Sequence, residues 1–326
     1  MQTHSSSKVM TLRLMLGGLK SLIPALHRGY KGAVGETTGA YCYSVWMRHL
    51  AVIDGVVPGF RPGTVVELGP GDSLGLGCAA LLSGAERYVA LDVVGHADSE
   101  HDVKVLDELV PLFEGRAPIP DDAAFPLLLP RLDSYAFPQA LFGGSRAGGI
   151  RVDRERVESI RAALRNRGGG GDASSPIRYV APWTGRSVSP SSADLVITQA
   201  VLQDVAHGDR ESTLAETFAT MARWLRAGGV MSHQINFAFP GGEQWNHHWR
   251  YSDAAWRVVR GKRPFYENRA PLSTYLQLCA QNGFEVMSVK RERKAGLPRE
   301  RVAPRFRDLP EDDFTTASAH IVAVKR

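Results

Sequence analysis

Residues 64–94 read TVVELGPGDSLGLGCAALLSGAERYVALDVV, a complete strand, glycine turn, helix and second strand. The apolar run Thr64-Val65-Val66 leads into Glu67. The turn Gly69-Pro70-Gly71-Asp72-Ser73 then opens a Leu/Ala/Gly-rich segment with the character of a buried helix. Ser83-Gly84-Ala85 ends that helix, and Arg87–Leu91 forms a second strand that stops at Asp92, 25 positions after Glu67. Two parallel strands joined by a helix make a right-handed crossover, and such units bind small ligands at the carboxyl ends of their strands.

The turn is built for close approach. Gly69 and Gly71 carry no Cβ, so the backbone there can meet a ligand that a side chain would exclude. An acid at the end of the second strand can accept both hydroxyls of a ribose, which is the position of Asp92. A nicotinamide dinucleotide would use the same acid, so the glycine spacing discriminates. The dinucleotide fingerprint needs Gly-x-Gly-x-x-Gly with a pyrophosphate facing the helix N-terminus. Here the third position is Leu74, Gly75 comes one residue late, and Asp72 would repel a pyrophosphate. A cofactor without phosphate fits better.

The segment ELGPGDS at 67–73 resembles motif I of the class I S-adenosylmethionine-dependent methyltransferases. The resemblance implies an α/β fold: a doubly wound, Rossmann-like, seven-stranded sheet, mostly parallel, closed by an antiparallel C-terminal strand pair. It implies S-adenosylmethionine as cofactor, with Glu67, Gly69, Pro70, Gly71 and Asp72 around its methionine part and Asp92 on its ribose. The strand and turn Ile177–Trp183 would place Ala181 and Trp183 near the adenine, where Trp183 stacks on the base or is partly buried in the core. Ser192–Val205 resembles the family's fourth strand, with Gln199, Gln203 and Asp204 beyond its end and Gln199 among the implied cofactor contacts. The Asp/Asn-Pro-Pro-aromatic motif of exocyclic base methylation is replaced by Thr198-Gln199-Ala200-Val201. Leu214–Leu225 as helix, Arg226–Gly229 as its stop and Val230–Asn236 as strand keep the family's order, and Glu285–Val289 with Ala319–Val324 supply the closing pair.

The resemblance covers 62–95 and 177–326 and leaves two regions to account for. Residues 1–61 form an N-terminal helical segment. Within them, 8–26 read as an amphipathic helix packed on the domain or, since residues 1–60 hold six Lys or Arg against two acids, as a peripheral membrane-surface helix. No apolar run is long enough for a transmembrane segment. Residues 40–54 read as a helix whose aromatic face is core, or whose Tyr41, Tyr43 or Arg48 touches ligand. Between Asp92 and Ile177 lie more than 80 residues, too many for a plain crossover. Residues 96–176 therefore read as an insertion, either embellishment or a lid over the acceptor pocket. It contains helices near 104–113 and 153–165 and a glycine-rich linker at 167–175.

Catalytic candidates come from the loop 236–253, NFAFPGGEQWNHHWRYSD, with Asn246 and Arg250 beside adjacent histidines. On an extended segment His247 and His248 point opposite ways, so one faces the acceptor as a general base and His248 is the favoured one. A hydrogen-bonded structural role is the alternative, and Asp204 is the next candidate base. No metal site is expected, because no third ligand lies at suitable spacing. Three separated cysteines, Cys42, Cys78 and Cys279, imply no disulfide framework and favour a cytoplasmic setting. The formal net charge is +5, and residues 290–307 alone hold eight Lys or Arg against two acids. That run reads as a solvated hairpin and less well as a nucleic-acid contact. The expected acceptor is a hydroxyl or amine of a small molecule or glycan intermediate. RNA or protein methylation, or cofactor binding by a non-catalytic partner subunit, are the alternatives.

Overall fold

The computed structural model describes residues 2–23, 37–95, 98–142, 149–166, 175–205, 213–263 and 266–326, with side chains from residue 11 onward. The glycine-rich linker lies, apart from Ser175, outside the described residues, as do residues 24–26 of the N-terminal stretch. Seven strands form one sheet: β1 (Thr64–Leu68), β2 (Arg87–Leu91), β3 (Ile177–Val180), β4 (Ala193–Gln199), β5 (Leu225–Asn236), β6 (Phe284–Arg293) and β7 (Thr316–Lys325). Their order is β3-β2-β1-β4-β5-β7-β6. β1 to β5 run parallel, and β7 is inserted antiparallel to both β5 and β6. This is the mixed seven-stranded α/β sheet expected from the resemblance.

Burial explains the sequence pattern strand by strand. All five residues of β1 are buried and β7 is buried over its first eight, so both read as continuous apolar or small-residue runs. β6, at one edge, is largely exposed or half-buried and ends in the charged run Lys290–Arg293, which blunts the edge. β1 is anchored at its start by Asp194, whose carboxylate accepts the amides of Gly63 (2.9 Å) and Thr64 (2.7 Å). Strand β5 starts earlier than expected. It begins at Leu225, directly after α7 (Leu214–Trp224), and a bulge absorbs the stretch between the pairs Ala193↔Leu225 and Leu195↔Val230.

On one face of the sheet, α2 (Gly39–Val56), α3 (Gly75–Leu82), α4 (Ser99–Glu114) and α6 (Arg154–Arg165) share a single hydrophobic core. The stretch 96–176 is thus not set apart from the core: Val105, Leu106, Leu109 and Phe113 of α4 and Ile160 and Leu164 of α6 are buried with Trp46 and Tyr88. The reason lies in two carboxylates of α4. Asp102 Oδ1 accepts the Leu74 amide (2.7 Å) at the start of α3, and Glu108 Oε2 accepts the Gly39 amide (2.7 Å) at the start of α2. Each satisfies an amide that a helix N-terminus leaves without an intrahelical partner. On the other face, α7 and α9 (Leu272–Gln281) pack with the C-terminal segment around Trp224, Trp249 and Tyr275.

Between β6 and β7 the chain makes a 3₁₀ turn at Arg299–Arg301 and the short helices α10 (Pro304–Arg307) and α11 (Glu311–Thr315), in place of the expected plain hairpin. Several of its cations are paired with acids: Arg293 with Asp312, Arg299 with Glu311, Arg305 with Asp253 and Lys294 with Glu292.

Arg48 is a structural clamp rather than a ligand-facing side chain. It is fully buried, donates to the carbonyls of Pro120 (3.0 Å), Leu128 (3.2 Å) and Pro130 (2.9 Å), and pairs with Asp122 at 3.0 Å, tying α2 to the proline-rich segment. Tyr43 is equally internal, its hydroxyl donating to Ala117 O at 2.6 Å. Removing the guanidinium takes the donor from the Leu128 and Pro130 carbonyls and leaves Pro120 O and Asp122 with the Ser44 and Tyr135 hydroxyls, so Arg48→Ala should lower unfolding stability by about 3 kcal/mol. Urea denaturation measures this, and an unchanged midpoint would show that the clamp contributes nothing.

Candidate functional site

The glycine turn sits at the carboxyl end of β1, with Gly69 and Gly71 both in the left-handed region at φ 69° and 71°. The two differ in surroundings. A Cβ on Gly69 would lie 2.6 Å from Val201 Cγ2, whereas a Cβ on Gly71 would meet nothing within 4 Å. Gly69 is therefore required by its own neighbours, and Gly71 presents bare backbone to open space. Pro70 and Asp72 are half-buried between and beside them, and Asp72 Oδ1 accepts the Thr37 hydroxyl at 2.7 Å. Close packing of α3 falls to two further glycines. A Cβ on Gly75 would come within 2.5 Å of Cys42 and Val105, and one on Gly77 within 2.1 Å of the Tyr88 ring.

The N-terminus of α3, where a dinucleotide pyrophosphate would sit, is already filled by protein. Asp102 Oδ1 accepts both the Leu74 amide and the Ser73 hydroxyl (2.8 Å), and Asp102 is fully buried. The group in the anion position is not Asp72, the acid expected to repel phosphate, but Asp102, eleven positions beyond the end of β2. Its only sequence signal is an acid in the first turn of a helix.

Asp92 is buried at the end of β2, and its Oδ2 accepts the Gly71 amide at 3.3 Å while Oδ1 accepts the Val93 amide at 2.7 Å. The acid and the glycine turn are thus one hydrogen-bonded unit. Glu67 is buried at the end of β1 and accepts the Tyr88 hydroxyl at 2.5 Å; burial pushes its carboxyl up to about 8. Tyr41 of α2 is half-buried beside this group, its phenol pushed up to about 12 by burial, with the charges of Cys42, Glu67 and Asp72 adding to the shift.

Ala181 is half-buried after β3, and Trp183 follows with its amide bonded to Asp92 O at 3.0 Å. The Trp183 indole is half-buried and edge-on to Trp224, 5.5 Å between ring centres, so part of it faces the α7 layer. Gln199, at the end of β4, bonds His49 Nε2 at 2.9 Å. That histidine begins a buried polar network under α2: His49 Nδ1 lies 2.7 Å from Ser232 Oγ and 3.2 Å from His320 Nε2. No sequence spacing announced this network, because its members come from α2, β4, β5 and β7.

Beyond β4 the chain turns sharply. Ala200 has φ 53°, a conformation uncommon for a residue with a Cβ, held by its amide to Gln234 O and by Gln203 Nε2 donating to its own carbonyl. Asn268 Nδ2 donates to the carbonyls of Leu202 (2.9 Å) and Val205 (3.1 Å), and its amide donates to Gln203 O. These bonds fix Asp204. Desolvation pushes the Asp204 carboxyl up to about 6, and the Glu267 carboxyl, desolvated and under the influence of Asp204, up to about 7. Glu267 was not anticipated: it lies 63 positions from Asp204 in a segment without motif character.

The histidine loop departs from expectation. His247–Arg250 is a 3₁₀ turn rather than an extended segment, so the two rings do not alternate across a strand, and both histidines are buried. His248 packs among Phe239 (5.6 Å), Trp249 (5.9 Å) and Trp256 (6.1 Å), and burial pushes its pKa down to about 3. His247 is lowered by desolvation and by Arg250. Asn246 also turns inward, its Oδ1 accepting the Leu297 amide at 2.7 Å. The loop is a wedge of core, and neither imidazole is placed as a base facing an acceptor. Among the described residues no group of His, Cys, Asp or Glu is arranged to hold a metal, and the three cysteines are buried and joined in no disulfide.

No family model and no curated protein matches the sequence. Solved structures similar in fold include an S-adenosylmethionine-dependent methyltransferase from Mesorhizobium loti (15% identity, 85% of this chain and 98% of that one, TM-score 0.41). Others are phosphoethanolamine N-methyltransferase 2 of Haemonchus contortus with S-adenosylmethionine (12%, 91% and 61%, 0.40) and a protein described as a hemolysin from Lactococcus lactis (8%, 86% and 86%, 0.39). At TM-scores near 0.4 these likenesses decide nothing about chemistry, which has to be read from the side chains of this chain.

The burial of His248 has a measurable consequence. Its folded pKa, about 3, lies below the ordinary value of 6.5, so the unfolded chain binds the proton first. The contribution is present above pH 6.5 and is lost as the pH falls from there toward 3, at up to about 1.4 kcal/mol per unit. His248→Phe, which keeps an aromatic ring among aromatic neighbours, should therefore be nearly neutral at pH 7 and stabilising relative to wild type by about 1–2 kcal/mol at pH 5. Denaturant midpoints at the two pH values check this, and parallel pH dependence in both proteins would place the ring in contact with water.

Proposed function

We propose that this chain is a class I S-adenosylmethionine-dependent methyltransferase acting on a hydroxyl or amine of a small molecule or glycan intermediate. The observation that carries this reading is the Gly69–Gly71 turn with Asp92: bare backbone in open space, bonded to a buried acid, beside a helix N-terminus closed to phosphate by Asp102. A ribose-bearing cofactor without a pyrophosphate fits that combination, and a dinucleotide does not. The pairing of Arg293, Arg299 and Arg305 with acids of the chain supports a small acceptor over a nucleic acid.

When bound, S-adenosylmethionine supplies a methyl group already activated by its sulfonium, so the protein's part is positioning and proton control. Gly71 and the half-buried Pro70 and Asp72 would line its methionine portion. Asp92 would accept the ribose hydroxyls, and Ala181 and Trp183 would flank the adenine. Asp204 replaces the histidines as base. It stands beyond the end of β4, the edge at which the glycine turn also lies, and its carboxyl at about 6 is deprotonated at neutral pH yet basic enough to take a proton from an acceptor. Glu267, whose carboxyl desolvation and the charge of Asp204 push up to about 7, is a second acid in electrostatic range of it.

Gly71→Val should abolish S-adenosylmethionine binding in calorimetry while the protein still melts cooperatively, at a lower temperature, because the added side chain enters open space and not the core but a β-branched residue is strained at φ 71°. Asp92→Ala should weaken the cofactor about 10- to 150-fold. It should also lower the melting temperature, since the Gly71 and Val93 amides lose their acceptor. Affinity for NAD in place of S-adenosylmethionine would overturn the assignment.

For catalysis, Asp204→Asn is expected to keep cofactor affinity and lose roughly 100-fold in turnover. Activity of the wild type should rise with pH through about 6 as the carboxylate forms, and that limb should be missing from the variant. Near wild-type turnover with an unchanged pH profile would remove Asp204 from the mechanism.

A further inference from the structure

The N-terminal helix α1 (Gln2–Lys20) has two apolar sides, of which one is used within the chain. Its inner side is docked on α8 (Asp253–Arg260): Leu14 and Met15 pack against Phe239, Tyr251, Trp256 and Val259. The contact is close. Gly18 lies so near the Val258 carbonyl that a Cβ would be 1.8 Å from it, and Ser21 Oγ accepts the Lys262 amide at 2.8 Å. The outer side carries Leu12, Leu16 and Leu19, each 47–59% exposed, and Leu22 and Ile23 continue it in the following turn at 46% and 49%. At 100° per residue the three helical leucines fall within about 60° of one another, a continuous stripe. Arg13 and Lys20, seven positions apart, lie together along one flank of it.

Within the two segments that form this face the charge is of one sign, and the desolvated Glu267 acts on Arg263 from outside them. Residues 11–23 and 254–263 contain Arg13, Lys20, Arg257, Arg260, Lys262 and Arg263 and no Asp or Glu. Asp253, just before them, is held by Arg269 and Arg305. Val258, 38% exposed, adds apolar surface on α8. Two candidate occupants of such a face can be separated by this charge. A second copy related by a two-fold axis would bring the same patch against itself, cation against cation, with no acid to pair. An anionic bilayer accepts both features: the leucines enter the acyl boundary while Arg13 and Lys20 extend their charged ends to the headgroups.

We propose that the outer face of α1, with the adjoining end of α8, docks this protein peripherally on anionic lipid surfaces. Among the described residues no helix is long and apolar enough to cross a membrane, so the association lies in the interface plane. The inference is independent of the cofactor reading, since no residue of this face belongs to the glycine turn or to its acids.

Flotation of the full chain with phosphatidylcholine vesicles, with and without phosphatidylglycerol, tests it. The protein should float with phosphatidylglycerol vesicles, more weakly as salt is raised, and stay behind with phosphatidylcholine alone. Leu16→Glu should reduce the partition about tenfold or more, and Arg13→Glu combined with Lys20→Glu should abolish the lipid preference. Because all three side chains are exposed, each variant should melt with the wild type, and melting curves verify that. Absence of flotation with anionic vesicles, or undiminished flotation of a folded Leu16→Glu protein, overturns the proposal. So does sedimentation equilibrium showing a dimer that Leu16→Glu dissociates, which would make a second copy the occupant.

Discussion

The contact on which the rest of the arrangement depends is the buried carboxylate of Asp102 at the start of α3. One oxygen accepts the Leu74 amide and the Ser73 hydroxyl, in the position where a helix N-terminus attracts an anion. Three consequences follow. The helix that opens from the glycine turn gains its cap, because Leu74 has no side chain able to provide one. The α4 helix is pinned beside α3, which makes the long β2–β3 connection part of the core. The anion position is closed, so the glycine turn is left with its open backbone at Gly71 and its bond to Asp92 as the features a ligand can use.

The α2 helix is held by the same economy of buried polar groups. Glu108 caps its first amide, Arg48 gathers three carbonyls of the proline-rich segment, and His49 reaches through the layer to Ser232, His320 and Gln199 on the sheet. All these groups are taken out of water, so each must be satisfied within the protein, and together they fix α2 in one rotation against the sheet. Tyr41, one residue before the fully buried stretch, is thereby held beside Glu67 and Asp72.

Local sequence carried the sheet well, since β1, β2 and β4 are apolar runs bounded by Gly, Pro or acids, and the turn needs glycine at two left-handed positions. The Asp92 and Gly71 unit was legible for the same reason: its parts fall within one crossover. Tertiary partners were not. Asp102, Glu108 and Glu267 look like ordinary helix or loop acids until their distant neighbours are in place. The His247-His248 pair misled because adjacent polar residues in an aromatic loop suggest a ligand face, whereas the 3₁₀ turn folds both rings inward against Phe239, Tyr251 and Trp256. Leu225 was placed in a helix because the Arg-Ala-Gly-Gly stop follows it; the bulge lets the same residues start a strand.

The charge left around the proposed acceptor position narrows what it can hold. Asp204 and Glu267 are both raised by desolvation, and the charge of Asp204 adds to the shift of Glu267. An acceptor bearing a carboxylate or phosphate at that point would add a like charge to a desolvated acidic pair and would be disfavoured. An amine that arrives protonated would be attracted by the pair, and a carboxylate with a pKa of about 6 or 7 can relieve it of its proton before methyl transfer. A neutral hydroxyl would need the same group as a base in the transfer step itself.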